Sequence, residues 1–310
     1  MIYTVTLNPA IDKTVEIHGF APGGVNRVRA IRTDPGGKGI NVSKVIRALG
    51  GESVATGFLA GQSGEYIRVA LRELGIAHSF LSIPGETRTN LKIVDPVGGT
   101  NTDINEPGPS VTEGNLTMLL ERLTLWAGSG DTVILSGSLP KDAPANTYRD
   151  WIRVLRQRGI AVFLDADGEA LRLGIEAMPT LVKPNREELR RLLGRPLDTL
   201  EELTRAGREL IRGGIEMAVI SLGGDGALFM SDAGAWLADG LAVDVRSTVG
   251  AGDSMVAALA LSRERGYAVE DTIRLAVAAS AAKVMCSGSQ APEGNSVKAL
   301  LGNVVIRKMG

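Results

Sequence analysis

Gly250-Ala-Gly-Asp253, within Ser247-Thr-Val-Gly-Ala-Gly-Asp-Ser254, places two glycines and a carboxylate at the start of a helix-forming run. Gly250 and Gly252, with Ala251 between them, let backbone N–H groups face one point. The helix N-terminus adds partial positive charge there. Such an anion hole suits a phosphoryl group in flight. Asp253 stands at its rim, where a carboxylate can take a proton from an attacking hydroxyl. An acid in a first helical turn also simply complements the dipole. Gly-x-Gly-Asp occurs again at Gly128-Ser-Gly-Asp131, but there the acid opens an apolar strand and reads as a turn.

Further segments carry weaker signals. Asp34-Pro-Gly-Gly-Lys-Gly-Ile-Asn41 opens a helix, and its glycines allow close backbone approach to a ligand. Lys38 adds a cation and Asn41 an amide. The Gly-Lys-Ser/Thr of a Walker A loop is absent. In Lys183-Pro-Asn-Arg-Glu-Glu188, Asn185 and Glu188 have the spacing of a capping box, and Glu188 could also hold Mg²⁺ through water. Ser221-Leu-Gly-Gly-Asp-Gly226 ends a strand, either beside a nucleotide or as a hairpin turn. Asp12, in Asn8-Pro-Ala-Ile-Asp12, reads as a ligand for hydroxyls or as a turn aspartate. Arg27, Lys38 and Arg88 are scattered in sequence, whereas a phosphate needs cations that converge.

The elements that must position these residues change rhythm along the chain. Ile2–Leu7 reads as a strand, and Thr14–Ile17 and Arg27–Arg32 as a pair around Pro22-Gly-Gly24. A helix follows from Gly39 to Leu49, with Val42, Val45, Ile46 and Leu49 on one face. Ser53–Leu59 is a strand and Gly64–Leu74 a helix. Thr89–Val94 and Thr100–Asn105 form a second pair. From about residue 112, helices near 112–126, 146–156, 186–193 and 200–211 alternate with strands 132–135, 161–164, 181–183 and 217–221. Ala251–Arg263 and Val269–Val284 close the series as helices. This alternation predicts a largely parallel sheet covered on both faces, with the two early pairs as a small accessory sheet over one end. Ligands in such folds bind beyond the carboxyl ends of the strands, where these glycine-rich loops lie.

Composition limits the function classes. The 34 basic and 35 acidic residues nearly balance, so no overall field exists for nucleic acid or an anionic membrane. Cys286, the only cysteine, allows no intrachain disulfide and reads as a buried, inert thiol. One cysteine with His18 and His78 gives no zinc ligand set. The N-terminus reads as a strand rather than a signal peptide, and the apolar stretch Leu275–Cys286 is too short to cross a bilayer. A cytoplasmic location is expected.

Taken together, these motifs resemble the phosphofructokinase B branch of the ribokinase-like sugar kinases over essentially the whole chain. The likeness rests on Asn8-Pro-Ala-Ile-Asp12, Gly36-Gly-Lys-Gly39 with Asn41, Ser136-Gly-Ser-Leu-Pro140, Lys183-Pro-Asn185 with Glu188, Ser221-Leu-Gly223 and Ser247 to Asp253. The resemblance implies one ribokinase-like three-layer α/β/α domain over residues 1–310, with lid segments near 14–32 and 89–105. It implies Asp253 as the base and Gly250, Ala251 and Gly252 as the anion hole. Lys183, Asn185, Ser221, Gly223, Gly226, Thr248 and Gly250 would line an ATP site, with Glu188 supporting Mg²⁺. Asp12, Gly37, Lys38, Asn41, Arg88 and Ser136 would contact a sugar phosphate, with Arg27 near its phosphate. A monovalent cation and a homodimer formed through the accessory sheet are further expectations.

Lys38 and Thr102-Asp-Ile-Asn105 resemble the fructose-1-phosphate kinases more than the tagatose-6-phosphate or 6-phosphofructokinase members. Asp167 departs from the Ser or Thr usual in the loop after residue 164. A nicotinamide-dependent dehydrogenase would need Gly-x-Gly-x-x-Gly after the first strand, which instead runs into Asn8-Pro9. A non-catalytic sugar-phosphate sensor would need the pocket but not a base in the anion hole.

Overall fold

The computed structural model describes residues 1–309. Its strands are β1 (Ile2–Thr6), β2 (Ala10–Glu16), β3 (Ala30–Gly36), β4 (Val54–Leu59), β5 (Ala77–Ser82), β6 (Arg88–Asp95), β7 (Thr100–Asn105), β8 (Thr132–Ser136), β9 (Ala161–Asp165), β10 (Leu181–Val182), β11 (Met217–Ser221), β12 (Gly226–Ser231), β13 (Gly234–Asp239) and β14 (Ile306–Met309). The helices are α1 (Lys38–Ala48), α2 (Gly61–Glu73), α3 (Glu113–Trp126), α4 (Thr147–Gln157), α5 (Gly168–Ile175), α6 (Arg186–Leu193), α7 (Leu200–Arg212), α8 (Ala251–Arg265), α9 (Val269–Val284) and α10 (Gly294–Leu300).

The main sheet runs β14-β13-β12-β11-β10-β9-β8-β1-β4-β5, parallel from β11 to β5 and antiparallel from β11 to β14. β1 and β8–β10 are buried throughout, as strands covered on both faces must be. One apolar layer packs Val162, Leu164 and Ile220 against Trp151, Leu155 and Leu203. The opposite layer packs Ile134, Phe163 and Val219 against Val42 and the alanine-rich α8 and α9. Small side chains let these two helices approach the sheet closely, and α8 is buried from Asp253 to Ser262.

The small sheet has the order β3-β2-β6-β7. The two expected strand pairs are joined by parallel pairing of β2 with β6, Ala10 opposite Arg88. Its register sorts the side chains. Ile11, Val15, Ile31, Leu91, Ile93 and Ile104 share one face; Asp12, Asp34, Arg88, Asn90 and Lys92 share the other.

Several expected bounds shift. β2 begins at Ala10 rather than Thr14, so Asp12 is a strand residue and not a turn aspartate. β3 runs Ala30–Gly36, which leaves Arg27 on the preceding loop. Register with Gly36 and Arg88 extends β2 past its apolar alternation. β5, β14 and α5 lack long apolar runs, β13 is framed by glycine, and α10 is only seven residues, so none stood out. Leu49 is half-buried, and so is Cys286, whose Sγ contacts the Ala282 carbonyl at 3.5 Å. Asp167 begins α5 without a side-chain cap. Among the described residues, no helix is long and apolar enough to cross a membrane.

Candidate active site

The carboxyl ends of β1, β8, β9 and β11, the starts of α1 and α8 and the charged face of the small sheet meet over one cleft. Gly250 takes φ 80° as the residue before α8, which turns the chain into the helix and leaves the first amides unpaired within it. Asp253, one turn in, is buried, and the Asn41 amide donates to its Oδ2 at 2.9 Å. Asn41 reaches it because β3 runs straight into α1 through Gly37, φ 112°. A Cβ at Gly37 would lie 2.7 Å from Thr6 Cγ2, so the close approach needs glycine.

Burial pushes Asp253 up to about 6, and the charge of Asp165 adds to the effect; Lys38, the Asn41 bond and Lys183 oppose it. A carboxylate poised there is ionised at neutral pH yet more basic than an exposed one, as a general base requires. Asp165 closes β9, and its Oδ1 lies 3.3 Å from Lys38 Nζ and 3.5 Å from Lys183 Nζ. Burial alone would raise Asp165, but the two ammonium groups outweigh it and hold the carboxyl below the usual range. Burial would likewise depress Lys38. The charges of Asp165, Asp253 and Glu188 outweigh that and hold its ammonium above the ordinary lysine range. A Cβ at Gly252 would lie 2.9 Å from Lys183 Nζ, which sets that cation against the first turn of α8.

Asn185 caps α6: its side chain accepts from Glu188 N, and Glu188 Oε2 accepts from Asn185 N, both at 2.8 Å. The capping reading therefore holds, while the charge of Glu188 still reaches Lys38. A bridge between Asn185 and Ser221 draws this cap to the end of β11. Beyond it, a cleft of about 280 Å³ is lined by Ser221, Gly223, Gly226, Thr248, Ala251 and Gly252. Its opposite wall is apolar: Leu241, Val243, Val245, Val277 and Val284. The Ser221–Gly226 turn both reverses β11 into β12 and lines this cleft. A Cβ at Gly226 would fall 2.0 Å from the Ala238 oxygen, and one at Gly240 would fall 1.8 Å from the Gly224 oxygen.

On the side of the small sheet, burial raises Asp12, and Asn90 donates to its Oδ1 at 3.1 Å. Arg88 donates to the carbonyls of Asn8 and Glu106. Buried side-chain atoms without a partner include Thr6 Oγ1, Asn8 Oδ1, Arg88 Nε, Asn90 Oδ1, Ser136 Oγ and Asp165 Oδ2. All six belong to these strand ends or to the small sheet. Buried polar atoms normally find partners, so this concentration is the mark of a polar ligand site. Arg27 is exposed, and among the described residues no contact joins it to Arg88 or Lys38.

Residue reasoning missed Asp165, Lys44, Asn90 and the valines of the cleft. Asp165 had a readable signal: a carboxylate ending the buried strand Ala161-Val-Phe-Leu, where the carboxyl edge of a parallel sheet faces ligand. Lys44 had none, because it sits on the apolar face of α1. It is buried and donates to the Pro35 and Ser289 carbonyls at 3.0 and 2.7 Å and to Asn41 Oδ1 at 3.4 Å, and burial lowers it to about 8.

The arrangement matches known proteins closely. Residues 5–295 match the pfkB family carbohydrate kinase model. A 1-phosphofructokinase of Rhodobacter capsulatus is 38% identical over 99% of this chain and 98% of its own length. The 1-phosphofructokinase of Bacillus subtilis is 37% identical, covering 91% of this chain and 92% of that one. The crystal structure of phosphofructokinase-2 from Escherichia coli in complex with potassium superposes with TM-score 0.93 at 30% identity, covering 97% and 98% of the two chains. With the family model matched over residues 5–295 and a 38% identical relative covering 99% of its length, this chain belongs to the pfkB family of carbohydrate kinases.

Proposed function

We propose that this chain, as a single domain with the small sheet as its lid, transfers the γ-phosphoryl group of ATP to the 6-hydroxyl of fructose 1-phosphate. The observation that carries the reading is Asp253: a buried carboxylate held by Asn41, poised at about 6, on the rim of an anion hole. A sugar-phosphate sensor has no use for such a base. The choice among ketose phosphates rests on the 1-phosphofructokinase relatives.

In this reading Asp253 takes the hydroxyl proton as the sugar oxygen attacks the γ-phosphorus. The amides of residues 250–252 and the ammonium of Lys183 receive charge on the transferring group. The apolar wall from Leu241 to Val284 takes the base of ATP, and the Ser221–Gly226 turn takes its ribose and phosphates. Among the described residues no cluster of acids forms a dedicated metal cage, which suits a Mg²⁺ that would be carried by the phosphates of ATP, with half-buried Glu188 and the unpartnered Asp165 Oδ2 available to reach it through water. When bound, the metal neutralises phosphate charge. Asp12, Asn41, Asn90 and Ser136 meet the sugar hydroxyls; Arg88 and Arg27 take the phosphate the sugar already carries. Such a reaction belongs in the cytoplasm, where ATP is supplied.

Lys38 was expected to hold that far phosphate, yet its ammonium contacts Asp165 and faces Asp253. Lys38→Met should therefore lower kcat about ten- to a hundredfold, the worth of ~1.5–3 kcal/mol for a hydrogen bond to a charged group. Steady-state kcat and KM with fructose 1-phosphate, fructose 6-phosphate, tagatose 6-phosphate and fructose test both statements. Wild-type preference for another ketose overturns the substrate. A rise in KM alone returns Lys38 to the far phosphate.

The outer face of the small sheet leaves Ile31 59% and Ile104 51% exposed beside buried Val15 and Ile93. We propose that a second copy covers this face. Light scattering at micromolar concentration should give twice the 32.6 kDa chain mass, and Ile31→Glu with Ile104→Glu should halve it. A wild-type monomer refutes the dimer.

A further inference from the structure

Lys283 is a buried cation that the chemistry above does not use. Its residue is 2% exposed, near the end of α9, where the helix dipole favours positive charge. Its Nζ donates to the Gly288 carbonyl at 2.7 Å. A Cβ at Gly250 would lie 3.0 Å from its Cε, so the stem lies directly against the first glycine of the anion hole. The chain entering that hole hangs on the same helix end, with Arg246 N and Ser247 N donating to the Val284 carbonyl at 2.8 and 3.1 Å. Lys283 is thus packed behind the point where charge accumulates during transfer. A fixed charge in a buried site acts more strongly than one in water and needs no reorganisation as the reaction proceeds.

We infer that Lys283 is a positioning residue for phosphoryl transfer: it braces the Gly250 turn and supplies, from within the chain, a permanent monovalent positive charge behind the anion hole. The inference rests on the phosphoryl-transfer reading and adds that turnover needs no dissolved monovalent cation at this point. The titratable groups facing Lys283 come from four directions: the Cys286 thiol just beyond its own helix, Asp253 on α8, Arg32 and Asp34 on β3, and the buried ammonium of Lys44 on α1. Burial depresses the lysine, Asp253 and Asp34 oppose this, and the like charges of Arg32 and Lys44 add to it. Loss of its charge leaves Asp253 less balanced, so the base becomes harder to ionise.

Lys283→Gln keeps a donor for Gly288 and removes the charge; Lys283→Ala also opens the space. With tetramethylammonium as the only monovalent cation, wild type should turn over at full rate and gain less than twofold from KCl. Lys283→Gln should lose tenfold or more in kcat, with the sugar KM within twofold and the acidic limb of the pH profile moved to higher pH. Lys283→Ala should regain at least fivefold with ammonium or methylammonium. A kcat for Lys283→Gln within twofold of wild type overturns the inference, as does a wild-type requirement for potassium. Binding of ADP with aluminium fluoride, a mimic of the group in flight, requires no turnover of any particular sugar. It should weaken tenfold in Lys283→Gln; unchanged affinity overturns the brace even if the ketose assignment fails.

Discussion

Asp253→Asn is expected to lower kcat by ~10²–10⁴-fold while the sugar KM stays within about twofold, because a general base contributes that much to rate and binding rests on other groups. Asparagine preserves shape and still accepts from Asn41, so the loss isolates proton removal. With the carboxyl at about 6, wild-type kcat/KM should fall roughly tenfold for each pH unit below that value. The same carboxyl predicts a gain in stability for the variant. Its folded value, about 6, lies above the unfolded 3.8. Between those values the folded state keeps a proton that the unfolded chain releases, so stability falls as pH rises through the window and stays lower above it. Asp253→Asn should therefore melt at or above wild type at pH 7. A calorimetric scan beside the kinetics decides the matter: a variant that retains near-normal kcat refutes the assignment, and one that melts well below wild type makes its inactivity a folding defect.

Asp165→Asn should cost more in stability than any exposed charge change. Lys183 is 7% exposed in its side chain and loses its carboxylate partner; Lys38, 34% exposed, can turn to solvent. Leaving one buried charge unpaired costs ~3–5 kcal/mol, or a fall of roughly 5–8 °C in Tm for a chain of this length. The Asp165 carboxyl is held below its unfolded value, so its contribution is complete above about pH 4 and fades as pH falls through the folded value. The gap between wild type and variant should be flat from pH 5 to 8 and narrow in stronger acid. Because the charge of Asp165 raises Asp253, whatever activity remains should show its acidic limb at lower pH. An unchanged Tm would mean that solvent reaches Lys183 freely.

The main sheet was legible because its strands are short apolar runs between helices of regular period, and these are what burial on both faces requires. The glycine turn that leads Asp253 into α8 was legible for a different reason: glycines before a helix followed by an acid form a recognisable pattern. Asp12 stayed open between a hydroxyl ligand and a turn aspartate because its strand is polar on one face, and only pairing with Asp34 and Asn90 shows it as a strand. Lys44 and Lys283 stayed hidden among apolar helix residues. Their partners, the carbonyls of Ser289 and Gly288, come from a loop whose position depends on the tertiary fold. The cations Arg27, Lys38 and Arg88 shared this difficulty, since convergence is a property of space and Lys38 turned toward Asp165.

The backbone wall of the cleft beside the Ser221–Gly226 turn bears on how this enzyme could acquire resistance to an inhibitor that binds there. Where Gly226 and Gly240 approach neighbouring carbonyls, any side chain collides with the main chain, so a mutant that blocks a bound compound there also breaks the strand pair beneath it. Escape is left to positions with room for a change, such as Gly224, where a side chain would meet open space, and Val243, Val245, Val277 and Val284 on the opposite wall. A compound that takes its affinity from the backbone at Gly226 and Gly240 and touches those positions lightly leaves few viable single substitutions. Selection under such a compound should yield changes in expression more often than changes in the cleft.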